Sequence, residues 1–229
     1  MIKVVTFLWH DSTWKWAKKF QYTAEHVNKL KNAVKRNLKL DHEFVCITDS
    51  ATGIDGDIRI VPLWRDFATL GGCYRRLKAF SSEMQHVIGE RFICLDLDAV
   101  ILRDITPIVD RFEDFVILKD WSPRAKYNGS MWMMNAGARS HVWELFHENP
   151  AAAVAVGKQA CQFGTDQGWL AASLKDEAVW TEADGVYSYR WHVKGKGLPK
   201  DARIVFFHGP FDPSQKEMQR FDWVRGAWC

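Results

Sequence analysis

Two aspartates one residue apart stand at the end of an apolar run, in the segment ERFICLDLDAVILRDI over residues 90–105. If that run is a strand, Asp96 and Asp98 point in the same direction, because side chains at i and i+2 share one face. Two carboxylates held that close repel each other, and a divalent cation between them removes the conflict. Mg²⁺ and Mn²⁺ prefer oxygen ligands and commonly bring substrate phosphates. The pair predicts either such a metal site or a strand-end turn in which one aspartate caps the residues that follow.

A histidine and an arginine could complete a metal and phosphate site. His208 follows the apolar run ARIVFF, so it is also expected at the carboxyl edge of a strand. An imidazole ligand favours Mn²⁺ over Mg²⁺. Arg75 and Arg76 precede the aspartate pair by about twenty residues. A guanidinium there could neutralise a diphosphate, with a surface ion pair as the alternative.

Hydrophobic periodicity predicts the elements that position these residues. Apolar residues recur at helical spacing from about Thr23 to Leu40, which predicts an amphipathic helix. Further helices are predicted over residues 73–84, 139–148 and 165–175, and strands over 3–9, 43–49, 57–63, 91–98, 115–120, 130–137 and 202–209. Strands that alternate with helices predict an α/β fold with a mostly parallel sheet flanked by helices. Ligands of such sheets bind at the carboxyl ends of the strands, where the metal and phosphate site is expected.

The bulk composition fits one soluble α/β domain over residues 1–229, because 47% of the residues are hydrophobic and 26% are charged. The net charge of +3 is too small to indicate nucleic-acid binding by itself. The twelve tryptophans predict a rich apolar core, and the alternative is that some of them line a sugar or base site.

Cysteine usage and hydropathy bear on the compartment. The five cysteines include no CxxC pair, which speaks against a disulfide framework or a zinc site and indicates a reducing cytosol. The segment MIKVVTFLWHD does not have the layout of a signal peptide, and no apolar run approaches the ~18 residues of a membrane span. The expected location is therefore the cytoplasm, either bacterial or that of a virus-infected host.

Taken in order along the chain, these segments resemble the glycogenin-like and lipopolysaccharide-galactosyltransferase-like retaining glycosyltransferases of family 8. The segment RFICLDLDAVILRDITPI carries most of the resemblance. It implies the Rossmann-like GT-A fold, with Asp96 and Asp98 as ligands of the Mn²⁺ (or Mg²⁺) that holds the donor's diphosphate. Leu97, between them, is assigned to the same donor site.

Two further segments resemble donor-binding motifs of that family. CYRRLKAF places Arg76 where these enzymes contact donor phosphate or sugar. VVTFLWHDSTW resembles the first strand and loop that hold the nucleoside. By this resemblance Leu8, His10 and Asp11 lie near base and ribose, and Trp14 stacks on the uracil.

Two segments resemble the motifs around the reacting sugar. KYNGSMWMMNAG has the order Asn-Gly-Ser where the family has Asn-Ser-Gly, so Asn128 transfers better than its neighbours. FGTDQGWLAASL matches the family's Asp-Gln segment. The resemblance therefore implies catalytic roles for Asn128, Asp166 and Gln167 near the sugar and the acceptor hydroxyl, together with Arg76.

The resemblance weakens after the late histidine. FFHGPFDP matches the segment that supplies the third metal ligand, so His208 takes that role and Gly209 adjoins the donor. The family follows this histidine with Gly, Lys, Pro and Trp at set spacings, and the lysine grips the diphosphate. Here the first lysine is Lys216. The leaving-group contact is therefore expected from Lys216, from the 194–200 loop, or is missing.

These motifs predict a metal-dependent glycosyltransferase. It would move a sugar from a nucleotide-sugar donor, expected to be UDP-linked, to an acceptor hydroxyl with retention of configuration. A glycan or lipopolysaccharide is the expected acceptor. A modified base in phage-type DNA is the less favoured acceptor, which the basic face of the first helix and Lys194, Lys196 and Lys200 would contact through phosphates.

Two other classes remain open from the sequence. Glycoside hydrolases also use paired carboxylates, but these flank a sugar at least ~5 Å apart and normally come from different strands. The second alternative is a catalytically weak protein that binds nucleotide sugars or glycans on the same fold. The altered segment after His208 keeps that alternative open.

Overall fold

The protein is described from a computed structural model that covers residues 1–10, 21–123, 125–161 and 165–229. Two of the predicted nucleoside-binding residues, Asp11 and Trp14, lie outside these residues.

Strands and helices alternate along the described chain. The strands are β1 (Ile2–Leu8), β2 (His42–Thr48), β3 (Arg59–Pro62), β4 (Arg91–Leu95), β5 (Ala99–Ile101), β6 (Phe115–Lys119), β7 (Tyr127–Asn135), β8 (Ala178–Trp180), β9 (Val186–Ser188) and β10 (Ile204–Phe206). The α-helices are α1 (Ala24–Asn37), α2 (Met84–Val87), α3 (Thr106–Val109), α4 (His141–Glu148), α5 (Pro150–Ala160), α6 (Asp166–Ser173) and α7 (Asp222–Ala227). Short 3₁₀ helices span Tyr74–Phe80, Glu182–Asp184 and Met218–Arg220, and a π-helix spans Tyr189–Val193.

Seven strands form the main sheet, in the order β3-β2-β1-β4-β7-β6-β8. The pairs β3–β2, β2–β1, β1–β4 and β6–β8 are parallel, and β7 runs antiparallel to both of its neighbours. The central strands are apolar on both faces, and Val4 and Val5 on β1 are both fully buried. A strand buried on both sides is typical of a sheet covered by helices, which confirms the predicted α/β class.

Helix α1 packs on one face of this sheet through a buried stripe that includes Val27, Leu30 and Val34. A capping box between Thr23 and His26 begins it, because the two side chains satisfy backbone donors that a helix start leaves unpaired. The predicted helix from Thr23 to Leu40 is therefore confirmed to within a few residues.

The basic side of α1 was predicted to be solvated or to contact an acidic partner. The face is partly solvated, since Lys35, Arg36 and Lys39 are exposed, and most of its cations also have partners within the chain. Lys29 pairs with Glu25, Lys31 with Asp55 and Asp57, and Lys39 with Asp104, while Arg36 donates to the carbonyl oxygens of Ala227 and Cys229.

A second, three-stranded sheet has the order β5-β10-β9, with β10 antiparallel to β5 and parallel to β9. Phe206 on β10 lies opposite Ala99 on one side and Ser188 on the other. The sequence placed residues 202–209 in the same sheet as the other strands, which is wrong. The segment belongs to this small sheet, whose other two strands were not predicted.

The prediction of one strand over residues 91–98 is also wrong. Strand β4 ends at Leu95, and the following turn leads into β5 of the small sheet. In that turn the Asp96 N–H donates to the Ser130 carbonyl at 2.9 Å, and the Ala99 N–H donates to the Asp96 carbonyl at 3.2 Å. Asp96 and Asp98 therefore flank a junction between two sheets and do not share one face of a strand.

The segment predicted as a helix over residues 73–84 is a 3₁₀ helix, Tyr74–Phe80, followed by the short α2. Across the described parts of the chain, every helix is too short or too polar to cross a membrane.

Candidate active site

Several of the predicted site residues lie near one edge of the main sheet. Strands β1, β4 and β6 point the same way and end there, and the reversed β7 begins there. Asp96 follows β4, Asp120 follows β6, and Asn128 stands near the start of β7. This is the edge at which parallel sheets bind ligands.

An ion-paired group, which we call the arginine cluster, consists of Arg76, Asp96 and Asp166. The Arg76 Nε donates to Asp166 Oδ2 at 2.5 Å, and its Nη1 donates to Asp96 Oδ1 at 2.5 Å. The side chains of Arg76 and Asp166 are 10% and 2% exposed, and that of Asp96 is 27% exposed. Residues 20 and 90 positions from Arg76 thus meet on a single guanidinium.

The arginine cluster places three ionisable groups in a largely buried position. Burial raises the pKa of Asp166, while the adjacent Arg76 guanidinium opposes that rise. Because removing an ion from water costs several kcal/mol, the cluster depends on its two short charge-assisted hydrogen bonds.

Gly129 explains the order Asn-Gly-Ser in this chain. A Cβ atom at Gly129 would lie 2.6 Å from Arg76 Nη2 and 3.4 Å from Asp166 Oδ2. The guanidinium therefore occupies the space that a side chain at this position would fill. Any other residue here requires Arg76 to shift, which accounts for a glycine at this point of the strand.

A second polar group surrounds Asp120. Its Oδ2 accepts from Asn128 Nδ2 at 2.9 Å and from Gln167 Nε2 at 2.6 Å, and its Oδ1 accepts from the Ser122 N–H at 2.6 Å. Burial raises the pKa of Asp120. The predicted residues Asn128 and Gln167 are thus brought together by a carboxylate that the sequence analysis missed. Its position directly after β6 in FVILKD is the signal that could have found it.

Asp98 has an incomplete set of partners. The Tyr22 hydroxyl donates to its Oδ2 at 3.1 Å, while its buried Oδ1 has no partner among the described residues. Burial raises the pKa of Asp98 well above its ordinary value, and the carboxylates of Asp96 and Asp212 raise it further. Tyr22 was also missed, because it lies between the predicted first loop and the first helix.

His208 follows β10 by two residues and lies beside Ser188, whose Oγ is 2.6 Å from its Nε2. Its ring stacks on Trp121 with a centroid distance of 5.9 Å and an interplanar angle of 8°. Burial and the nearby Arg190 lower the pKa of His208 to about 4, against the opposing effect of Asp96. The imidazole is therefore neutral near pH 7, which is the form that binds metals.

The three predicted metal ligands turn to different partners: Asp96 to Arg76, Asp98 to Tyr22, and His208 to Ser188. Within the residues that the structure covers, no group of three His, Cys, Asp or Glu side chains is arranged to hold a metal ion. Two carboxylates and a neutral imidazole are nevertheless donor types that a divalent cation accepts. The unpartnered Oδ1 of Asp98 is the atom such an ion would satisfy. The metal site remains a prediction.

The predicted nucleoside residues Leu8 and His10 line a cleft of about 480 Å³ at the end of β1, together with Tyr22, Ser50 and Thr52. The His10 N–H donates to Asp49 Oδ2 at 3.1 Å. Leu8 and His10 therefore lie at one concave surface. Tyr22, which also lines it, connects this surface to Asp98.

The remaining predicted donor residues have mixed outcomes. The side chain of Leu97 is 2% exposed and packs in the apolar core, so it is not available to a ligand. Gly209 has a φ of 73°, in the left-handed region that glycine adopts without strain. Lys216 is exposed and forms no hydrogen bond or ion pair with any described residue.

Comparison with solved structures identifies the fold. The chain aligns with the galactosyltransferase LgtC in complex with donor and acceptor sugar analogues, with a TM-score of 0.64 and 14% identity over 98% of this chain and 93% of that one. It also aligns with the glycosyltransferase GlyE of Streptococcus pneumoniae TIGR4, with a TM-score of 0.62 and 10% identity over 100% of this chain and 64% of that one. The predicted GT-A fold is confirmed.

At the level of sequence, no protein-family model and no curated protein matches the chain. The likeness therefore rests on the arrangement of the elements.

Proposed function

We propose that this protein is a glycosyltransferase that moves a sugar from a UDP-linked donor to an acceptor hydroxyl. The observation that carries the proposal is the pairing of Arg76 with Asp96 and Asp166 at the ligand-binding edge of a GT-A sheet. Solved glycosyltransferases with the same fold, which include the donor-bound and acceptor-bound LgtC, support it.

The polar groups at this edge suit the two halves of a nucleotide sugar. The Asp120 group offers a carboxylate and two amides, which are the partners that sugar hydroxyls use in polar sites. The arginine cluster offers a guanidinium, which stabilises a leaving diphosphate as negative charge develops on it. The cleft at Leu8 and His10 suits the nucleoside.

The reaction proposed is a substitution at the anomeric carbon with retention. The bond from that carbon to the β-phosphate oxygen breaks, and the acceptor oxygen bonds to the carbon on the same face. The acceptor proton passes to the departing phosphate oxygen, so no separate base is needed. Asp166 and Gln167 would orient the sugar and shield the positive charge that develops on it.

Asp96, Asp98 and His208 are the residues proposed to hold Mn²⁺ or Mg²⁺. When bound, the ion would neutralise the negative charge of the diphosphate. The buried Oδ1 of Asp98, which has no partner among the described residues, supports this assignment.

A glycan or lipopolysaccharide hydroxyl is the proposed acceptor. A DNA acceptor is less favoured, because most cations on the polar side of α1 already pair with carboxylates or carbonyl groups of the chain. A cytoplasmic location is proposed from the sequence, and the unpaired, buried Cys46 and Cys94 are compatible with it.

The experiment is a panel of UDP-sugars measured by thermal shift with and without Mn²⁺, followed by assays of UDP release and sugar transfer. One donor is expected to raise the melting temperature only when the metal is present. Chelation with EDTA should abolish both the shift and the turnover. A donor that binds without any hydrolysis or transfer would indicate the binding-protein alternative, and a panel in which no donor binds would contradict the proposal.

Asp98→Asn tests whether Asp98 is a metal ligand in the same experiment. The substitution keeps the shape of the side chain and replaces a carboxyl group whose ionised form burial disfavours, so the melting temperature without ligand should stay the same or rise. The Mn²⁺-dependent shift and turnover should nevertheless be lost. Asp222→Asn is the matched control, because that carboxylate is 91% exposed. A D98N protein with normal Mn²⁺ dependence would rule out Asp98 as a ligand.

A further inference from the structure

Arg190 stands beside His208 because of the way the small sheet is paired. Strands β9 and β10 are parallel, and Ser188 lies opposite Phe206 at their ends. Parallel strands leave a sheet at the same edge, and Arg190 and His208 are each two residues beyond that pair. The pairing of β9 with β10 therefore places Arg190 and His208 at the same edge of the small sheet.

A further observation places the Arg190 guanidinium close to that histidine. A Cβ atom built at Gly209 would lie 3.8 Å from Arg190 Nη1, so the cation borders the open space beside the residue that follows His208. Gly209 therefore adjoins a cation that was absent from the predicted site.

A π-helix fixes the backbone that carries Arg190. It spans Tyr189–Val193, and the Lys194 N–H closes it on the Tyr189 carbonyl at 2.8 Å. Ser188 Oγ accepts from the Trp191 N–H at 3.3 Å and lies 2.6 Å from His208 Nε2. The same hydroxyl thus ties the turn to the histidine. Single π-helical turns are rare and are frequent at functional sites.

Arg190 is an available cation of this region. It is exposed and forms no hydrogen bond or ion pair with any described residue, and its guanidinium carbon lies 5.6 Å from the centre of the Trp191 ring. Of the lysines in the 194–200 loop, Lys196 donates to the Trp191 carbonyl at 3.0 Å, Lys194 lies 4.7 Å from the Phe211 ring, and Lys200 is exposed without an ion pair to a described residue. The position of Arg190 beside Gly209 distinguishes it from these lysines.

The segment with Lys216 is held in another way. Asp212 is buried against His26 of α1, with 3.3 Å between Oδ1 and Nε2, and it also accepts from the Ser214 N–H at 2.8 Å. Gln215 Nε2 donates to the Pro210 carbonyl at 3.0 Å. Residues 210–215 therefore fold back on α1, and Lys216 follows this fixed turn.

We propose that Arg190 binds the diphosphate of the nucleotide-sugar donor, in the role that the sequence analysis left to Lys216 or the 194–200 loop. The inference rests on the proposed function. A guanidinium suits this role, because its planar set of N–H donors matches two phosphate oxygens at once. The donor would thus be held between Arg76, on the 3₁₀ helix Tyr74–Phe80, and Arg190, on the π-helix that follows β9.

The test is isothermal titration of the protein with UDP, UMP and uridine in the presence of Mn²⁺. Arg190→Ala should weaken UDP binding by about tenfold to a hundredfold and leave uridine binding unchanged, since the nucleoside lies in the cleft at Leu8. Arg190→Lys should recover part of the loss because it keeps the charge. Circular dichroism establishes that each variant is folded.

Arg103→Ala is the matched control. Arg103 is also exposed, forms no hydrogen bond or ion pair with any described residue, and lies beyond the opposite end of β5 from Asp98. Its removal should leave UDP binding unchanged. Lys216→Ala tests the other candidate for the diphosphate contact, and it should leave UDP binding unchanged if Arg190 has this role.

Equal UDP affinity in wild type and Arg190→Ala would overturn the inference, as would an equal loss in Arg190→Ala and Arg103→Ala. A wild-type protein that binds none of UDP, ADP, GDP and CDP would refute the nucleotide-sugar function itself, and the role of Arg190 with it.

Discussion

In the arginine cluster, one buried guanidinium holds two carboxylates that come from distant parts of the chain. Around His208, by contrast, the imidazole is hydrogen-bonded to the Ser188 hydroxyl, and the adjacent Arg190 has no ion pair within the described residues. In the first group, the arginine already has carboxylate partners within the protein. In the second, the positive charge of Arg190 has no partner among the described residues.

This difference indicates two roles: a preorganised group that acts during the reaction, and an unpaired cation that binds an anionic ligand. Charged groups that already hold one another keep their geometry before a ligand arrives, which is the condition for stabilising charge that develops during a reaction. A cation without a partner contributes when an anion binds. The arginine cluster is therefore expected to govern stability and turnover together, whereas the His208 side should govern affinity.

Removal of Arg76 should give the largest effect. Arg76→Ala leaves the buried Asp166 without its partner, and breaking a buried ion pair in this way costs about 3–5 kcal/mol of unfolding free energy. Turnover should fall to background. Urea denaturation followed by circular dichroism, together with the transfer assay, measures both.

Arg225→Ala is the control, because Arg225 and its partner Asp222 are 61% and 91% exposed. Exposed pairs contribute little, so its unfolding free energy should hardly change. If Arg76→Ala were as stable as Arg225→Ala, the cluster would not be the compensated group described here.

Gly129→Ala should have the next largest effect, since its Cβ would lie 2.6 Å from Arg76 Nη2. The guanidinium must shift, and overpacking of this kind costs about 1–3 kcal/mol. Turnover should fall more than UDP affinity. Gly56→Ala is the matched control, because its Cβ would meet nothing within 4 Å. Equal turnover in the two variants would contradict the close approach.

Ser188→Ala should have the smallest effect of the three and should act on affinity. The variant loses the hydroxyl that links His208 to the π-helix, which is worth about 1 kcal/mol, or roughly fivefold in UDP affinity. Ser173→Ala removes a hydroxyl whose hydrogen-bond partner among the described residues is the Trp169 carbonyl, and it should leave affinity unchanged. A Ser188→Ala protein that loses turnover but keeps its UDP affinity would reverse the comparison.

The parts of the fold that the sequence predicted are those with a long periodic signal. The apolar runs of β1, β2 and β6 and the stripe of α1 are all long enough to define their period. Strands β5, β9 and β10 have three residues each. The run ARIVFF did predict the strand that contains β10, but the three residues of β5 and of β9 do not distinguish a strand from a loop, so the small sheet as a unit could not be predicted.

The site residues also differ in whether the sequence could predict them. Arg76, Asp166, Asn128 and Gln167 belong to motifs that resemble a known family, and the structure brings them to one edge. Asp120 was missed because its partners Asn128 and Gln167 lie 8 and 47 positions away. Arg190 was missed because its place depends on the pairing of β9 with β10, which no local pattern encodes.

The turn that joins β4 to β5 has a consequence for variation in this chain. Asp98 directly precedes β5, His208 follows β10 by two residues, and the Phe207 N–H donates to the Asp98 carbonyl at 3.1 Å. Their separation is thus set by one antiparallel ladder. An insertion of a single residue within β10 would turn His208 to the opposite face of the sheet, whereas length changes in the loop before β10 would leave both side chains in place.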